Sequence, residues 1–157
     1  MRIEPRPYDQ PDTQQLVDRI NSYYQDIYGG PDRDPTGPGQ FVPPAGLFLV
    51  GYLDDVPVAC GGWRRRPDGT AEIKRMYVAD EARGRGLARE LLAELERTAA
   101  GAGAQRIVLN TGYRQGEAMA LYESSGYART DERFGVYAPI DGAHFYTKDL
   151  QTEAGLQ

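Results

Sequence analysis

Arg83, Arg85 and Arg89 gather where a strand pattern gives way to a strongly periodic helix, with Gly84 and Gly86 between them. A helix amino terminus already carries the positive end of the macrodipole, so cations there are unfavourable unless an anion joins them. Glycines without Cβ atoms let backbone approach a ligand closely. Unpaired amides, positive side chains and missing Cβ atoms together describe an anion site suited to phosphate. Taken alone, the same Arg-Gly-Arg-Gly run fits a glycine-punctuated turn with solvated arginines equally well. No Gly-Lys-Ser/Thr follows it, which excludes a nucleotide P-loop. Other residues could move protons. Ala118 and Tyr122 lie four apart and share a helix face, the alanine leaving room for a ligand. Glu72 stands in a strand pattern with Lys74 on the same face. It reads either as a base in a site or as a paired surface carboxylate.

The elements that must hold these residues follow from periodicity and turn chemistry. Arg2 to Pro7 reads as a first strand. Pro11 and Asp12 suit the first turn of a helix, and Leu16, Val17, Ile20, Tyr24, Ile27 and Tyr28 then recur at helical spacing. Gly29 to Gly46 is rich in Gly, Pro and Asp and has no period. A loop that long is usually functional, and it is expected as a lid over an acceptor site. Leu47 to Tyr52 and Val56 to Trp63 flank Asp54-Asp55 as a hairpin, and Pro67-Asp68-Gly69 makes a second turn before the strand Thr70 to Val78. Asp80 to Gly86 leads into a helix with Leu87, Ala88, Leu91, Leu92 and Leu95 on one side, ended by Gly101 and Gly103. Arg106 to Leu109 is a short buried strand. Glu117 to Ser125 is a helix stopped by Gly126, and strands from Tyr127 and from His144 to Leu150 close the set. The order β-α-β-β-β-α-β-α-β-β gives an α/β (α+β) mixed sheet with helices packed on it. It forms one domain, residues 1–150, with 151–157 as a flexible tail.

Bulk properties remove several classes of function. At 157 residues the chain can build one core and not two. A net charge of -5 argues against a nucleic-acid binder and is compatible with cationic acceptors. No apolar run is long enough to span a membrane, and the amino terminus has charges and prolines where a signal peptide would be apolar. The expected compartment is the cytoplasm. Cys60 is the only cysteine and His144 the only histidine, so an intramolecular disulfide is impossible and a dedicated metal site is not expected.

From Ala71 to Tyr127 the sequence resembles the GNAT superfamily of N-acetyltransferases. The stretch AEIKRMYVADEARGRGLARELLAELE is similar to that family's fourth strand, pyrophosphate loop and following helix, with Arg83, Gly86 and Ala88 at the loop's signature positions. AMALYESSGY resembles the family's second hallmark, a helix bearing a Leu-Tyr pair before Gly-Tyr or Gly-Phe. The resemblance implies a mostly antiparallel central sheet whose splayed strands form an acyl-CoA cleft. It implies acetyl-CoA as donor, its pyrophosphate on backbone amides from Gly84 through Arg85, Gly86, Leu87 and Ala88 to Arg89. Backbone of Met76, Tyr77 and Val78 would pair with the pantetheine arm, and the Met76 N–H would polarise the thioester carbonyl. Many relatives carry Asn three residues before the helical alanine; here Gln115 precedes Ala118 and takes that place, and Asn110 lies at the strand end instead.

An amine of pKa about 10.4 is mostly ammonium at pH 7, and freeing its lone pair costs roughly 4.6 kcal/mol. The resemblance implies Glu72 as the base, directly or through water, provided its surroundings raise its pKa. Tyr122 is the implied acid for the leaving thiolate, a transfer uphill by roughly 2 kcal/mol for an ordinary phenol; an aromatic core residue is its other reading. His144 reads as structural, Cys60 as a buried inert thiol, and Arg64, Arg65 and Arg66 as a solvated strand end, one of which could touch the nucleotide's extra phosphate. Tyr23, Tyr24 and Tyr28 fit core packing first and an acceptor pocket second. The function expected is acetyl transfer to a primary amine of a small molecule by direct attack in a ternary complex, in a monomer or homodimer. A protein amine as acceptor, or a non-catalytic acyl-CoA sensor, remains open.

Overall fold

A computed structural model describes residues 1–150; the expected tail, 151–157, lies outside the described residues. The elements are β1 (Arg2–Pro5), α1 (Pro11–Tyr28), β2 (Gly46–Leu53), β3 (Val56–Arg65), β4 (Ala71–Val78), α2 (Leu87–Gly101), β5 (Arg106–Gly112), α3 (Gly116–Ser124), β6 (Ala128–Arg129) and β7 (Ala143–Asp149). They follow the order read from the sequence. Boundaries differ where turns intervene: β1 stops at Pro5, because the Pro7 carbonyl already accepts the Gln10 N–H in the turn that starts α1. The long loop after α1 carries a 3-10 turn at Pro38–Phe41.

The strands form one sheet in the order β1-β2-β3-β4-β5-β7-β6. Every neighbouring pair is antiparallel except β4 and β5. That parallel pair is joined only at Ala71↔Ile107 and Glu72↔Val108. Beyond Glu72 the two strands part, and the carboxyl half of β4 has a free edge toward β5. A register shift between Cys60 and Gly62 faces Arg75, whose φ of 60 lies in the left-handed region. This bulge breaks the alternation of β4 at the mouth of the split.

Both faces of the sheet are covered. α2 buries Leu91, Leu92 and Leu95 against Ile73, Ile107 and Leu109, with Tyr122 of α3 in the same cluster. α1 buries Leu16, Val17 and Ile20 against Phe48, Val50 and Cys60 on the opposite face. The Gln10 side chain caps α1 by accepting from the Asp12 and Thr13 amides, and Gly29 ends it at φ 77. Tyr28 departs from the expected apolar stripe: it is 39% exposed. Arg64 is not the solvated strand end that was expected. Its side chain is only 15% exposed because Asp34 and Glu72 both reach it, at 2.8 and 3.0 Å.

Candidate active site

The separation of β4 from β5 opens two adjoining cavities. The first, about 450 Å³, is bounded by β4 at Met76, Tyr77 and Val78, by the turn into α2, and by α3. Of the residues expected to hold the donor, Met76, Tyr77, Val78, Arg83, Gly84, Gly86, Leu87, Ala88, Arg89, Gln115 and Ala118 all line it. Arg85 does not; it is exposed beside the loop.

The loop's form explains its glycines. Gly84 and Gly86 sit at φ 80 and 75, where a side chain would be strained although no atom lies within 4 Å of either added Cβ. Gly86 precedes α2 and offers no side-chain cap, so the first amides of α2 depend on water or a ligand. Arg83 is held in place by the Val78 carbonyl at 3.2 Å and by Asp80 at 3.2 Å, and it lies over the Tyr23 ring. The Arg89 guanidinium is committed elsewhere: it donates to Ser124 and Ser125, tying α2 to the end of α3. Arg114 was not foreseen as part of this wall, having no motif around it.

The second cavity, about 390 Å³, lies on the other side of the split. Tyr24, Tyr28, Tyr113 and Tyr137 supply aromatic wall, and Lys74, Arg75 and Asp32 supply charge. Five residues belong to both cavities: Tyr24, Met76, Gln115, Ala118 and Tyr122. Tyr122 is therefore at the passage between them. Its ring is 7% exposed, and its hydroxyl has one weak partner, the Met76 sulfur at 3.8 Å. Burial pushes the phenol well above its ordinary value, so it keeps its proton.

Glu72 is 5% exposed and lines neither cavity. One oxygen accepts from Arg64 at 3.0 Å, and Oε2 is buried without a partner. Asn110 does reach the second cavity. His144 lines neither, and its Nδ1 is buried without a partner. Cys60 is fully buried, donates to the Arg75 carbonyl at 3.3 Å, and is pushed up to about 12 by burial. Tyr24 and Tyr28 serve as cavity wall as well as helix surface, and Tyr23 faces the first cavity.

The loop after α1 is fastened beside the second cavity by buried charge. Asp34 takes Arg64 and Lys74, both at 2.8 Å, and Asp32 faces Arg75 at 3.5 Å. The Tyr137 hydroxyl donates to Asp32 and accepts the Arg33 amide, joining this loop to the one before β7. Burial acts to raise the Asp32 carboxyl, but Lys74 and the Tyr137 hydrogen bond outweigh it and hold the group below its ordinary value. Asp32, Arg33, Asp34 and Tyr137 escaped the sequence reading because aperiodic loops carry them. Among the described residues, no group of three or more His, Cys, Asp or Glu side chains could hold a metal ion. No helix among them is long and apolar enough to cross a membrane.

Residues 13–127 match the family model described as the acetyltransferase (GNAT) family. Over 137 residues the chain is 32% identical to a protein of Azospirillum brasilense named IAA acetyltransferase, covering 87% of this chain and 89% of that one. The fold is similar to the crystal structure of a Klebsiella pneumoniae protein assigned provisionally as an acyl-CoA N-acyltransferase, with TM-score 0.81, 25% identity, and coverage of 95% and 97%. It is also similar to a GNAT family acetyltransferase from Elizabethkingia anophelis solved with acetyl-CoA bound, with TM-score 0.69, 18% identity, and coverage of 95% and 97%.

Proposed function

From the fact that this chain belongs to the acetyltransferase (GNAT) family, we propose that it moves an acetyl group from acetyl-CoA to a primary amine of a small molecule. The attack is direct, within a ternary complex. The observation that carries this reading is the meeting of two cavities at Met76 and Tyr122, where β4 and β5 have separated. Two substrates entering from opposite sides would meet there without a covalent enzyme intermediate. Cys60, the one thiol, is buried and held protonated, which argues against a ping-pong route.

The first cavity suits acetyl-CoA on its own features. Unsatisfied amides at the start of α2 and the nearby Arg83 fit a pyrophosphate. The free edge of β4 at Met76 to Val78 fits an extended amide-bearing arm. In this reading the Met76 N–H polarises the thioester carbonyl, and the Tyr122 hydroxyl hydrogen-bonds the leaving sulfur. With its pKa raised, Tyr122 stabilises developing thiolate as a hydrogen-bond donor more readily than it surrenders a proton. Glu72 is the base in this reading, and since it lines neither cavity it can act only through an intervening water.

The name of the Azospirillum relative supports acetyl as the group transferred. The fastening of two loops to each other by Asp32, Arg33 and Tyr137 at the wall of the second cavity supports a small acceptor over a protein amine. The test is release of free coenzyme A across a panel of amines, with the acetylated product identified by mass. Amine-dependent release is expected. Tight acetyl-CoA binding with no release on any amine would favour the sensor reading instead.

A further inference from the structure

Lys74 and Arg75 are consecutive residues of a strand, yet their side chains turn to the same place. Lys74 Nζ meets Asp34 at 2.8 Å, and Arg75 Nη2 meets Thr36 at 3.0 Å. In a regular strand neighbours point to opposite faces. Here the left-handed backbone of Arg75, opposite the bulge in β3, overrides that alternation. Strain of this kind in a residue with a side chain persists where the surrounding structure enforces it, commonly at a ligand site.

Both side chains are buried, at 7% and 6% exposure, and both residues line the second cavity. The buried network has three cations, Arg64, Lys74 and Arg75, and three anions, Asp32, Asp34 and Glu72. Only Lys74, Arg75 and Asp32 of these reach the cavity wall, which leaves that wall with two cations to one anion. Exposed Arg33 and Asp141 offset each other at its edge. Asp32 is itself occupied: its Oδ1 takes the Tyr137 hydroxyl and the Asp34 amide. Two wall residues keep buried polar atoms without partners, Arg75 at Nε and Thr111 at Oγ1. A buried N–H with no acceptor is unfavourable unless a ligand supplies one.

Building on the acetyltransferase reading, we propose that the acceptor is an amine that also carries a carboxylate, held by Lys74 and Arg75, with an apolar or aromatic body against the tyrosines. A guanidinium beside an ammonium is suited to a carboxylate, because planar N–H donors match its two oxygens. Arg75 adjoins Met76, the residue assigned to the thioester, so amine and carboxylate must lie close together, as in an α- or β-amino acid. Tyr24, Tyr28 and Tyr137 with Ile140 give the body an aromatic and apolar surround.

The experiment compares L-phenylalanine, phenethylamine and L-phenylalaninamide as acceptors, measuring coenzyme A release and product mass. The amino acid is expected to show kcat/KM at least about tenfold above both analogues, the scale of one charge-assisted contact. In Arg75→Gln that preference falls to about twofold or less. 3-Phenylpropionate, which has no amine, provides a readout in the unaltered protein: it competes with the acceptor and leaves the KM for acetyl-CoA unchanged. Equal or better turnover of phenethylamine overturns the proposal while leaving acetyl transfer intact. Acetyl-CoA binding without turnover of any of the three, and without 3-phenylpropionate binding, overturns it too. Failure to bind acetyl-CoA removes the underlying reading itself.

Discussion

Tyr122 combines burial, a raised pKa and an almost unpartnered hydroxyl, a state that costs stability unless a ligand uses it. Tyr122→Phe removes that hydroxyl and nothing else from the packing against Tyr127 and Tyr146. Turnover should fall about tenfold to a thousandfold while the melting temperature hardly moves. Unchanged kcat removes Tyr122 from the reaction. Glu72 is a different case, since its pairing with Arg64 gives it a structural duty whatever its chemistry. Glu72→Gln should lower kcat/KM by about a hundredfold, because the carboxylate that accepts the proton in this reading is gone. A mutant that loses stability yet keeps its rate shows Glu72 to be an anchor for Arg64.

The turn into α2 was legible because its chemistry is local: glycines in a left-handed conformation and arginines at a helix start occupy one short stretch. Gly86→Val places a β-branched residue at φ 75, with strain of about 1–2 kcal/mol, and re-aims the amides that follow. We expect the Kd for acetyl-CoA to rise at least tenfold and the melting temperature to drop by several degrees; equal affinity would mean that the loop does not hold the donor. The periodic elements were legible for the same reason, Leu91, Leu92 and Leu95 facing the sheet as their spacing requires. The acceptor wall was not. Asp32 and Tyr137 meet across 105 positions in sequence through two aperiodic loops, and no spacing rule connects them. Arg64 was misread because three consecutive arginines look like a solvated end; its partner Asp34 lies in one of those loops. The left-handed Arg75 carried no signal, since glycine is the usual mark of such a conformation.

At the scale of the whole molecule, buried cores on opposite faces of the sheet flank the divergence of β4 and β5. Several tyrosines around that split share one electrostatic consequence. Desolvation raises Tyr24, Tyr122 and Tyr127 beyond their ordinary values and Tyr137 to about 12, with Asp32 and Glu96 adding to the effect on their neighbours. A folded-state pKa above the unfolded one gives stability that is complete below the unfolded value, about 10, and is lost as pH rises toward the folded value. Thermal stability should therefore decline steeply from about pH 9.5 to about pH 11.5; a flat profile over that range would mean these phenols are solvated. The most direct test of the central claim is a crystal structure with acetyl-CoA bound. The diphosphate should lie within hydrogen-bonding distance of the amides from Gly84 to Arg89, with the thioester between Met76 and Tyr122. Cofactor density anywhere outside the separation of β4 and β5 would contradict the account.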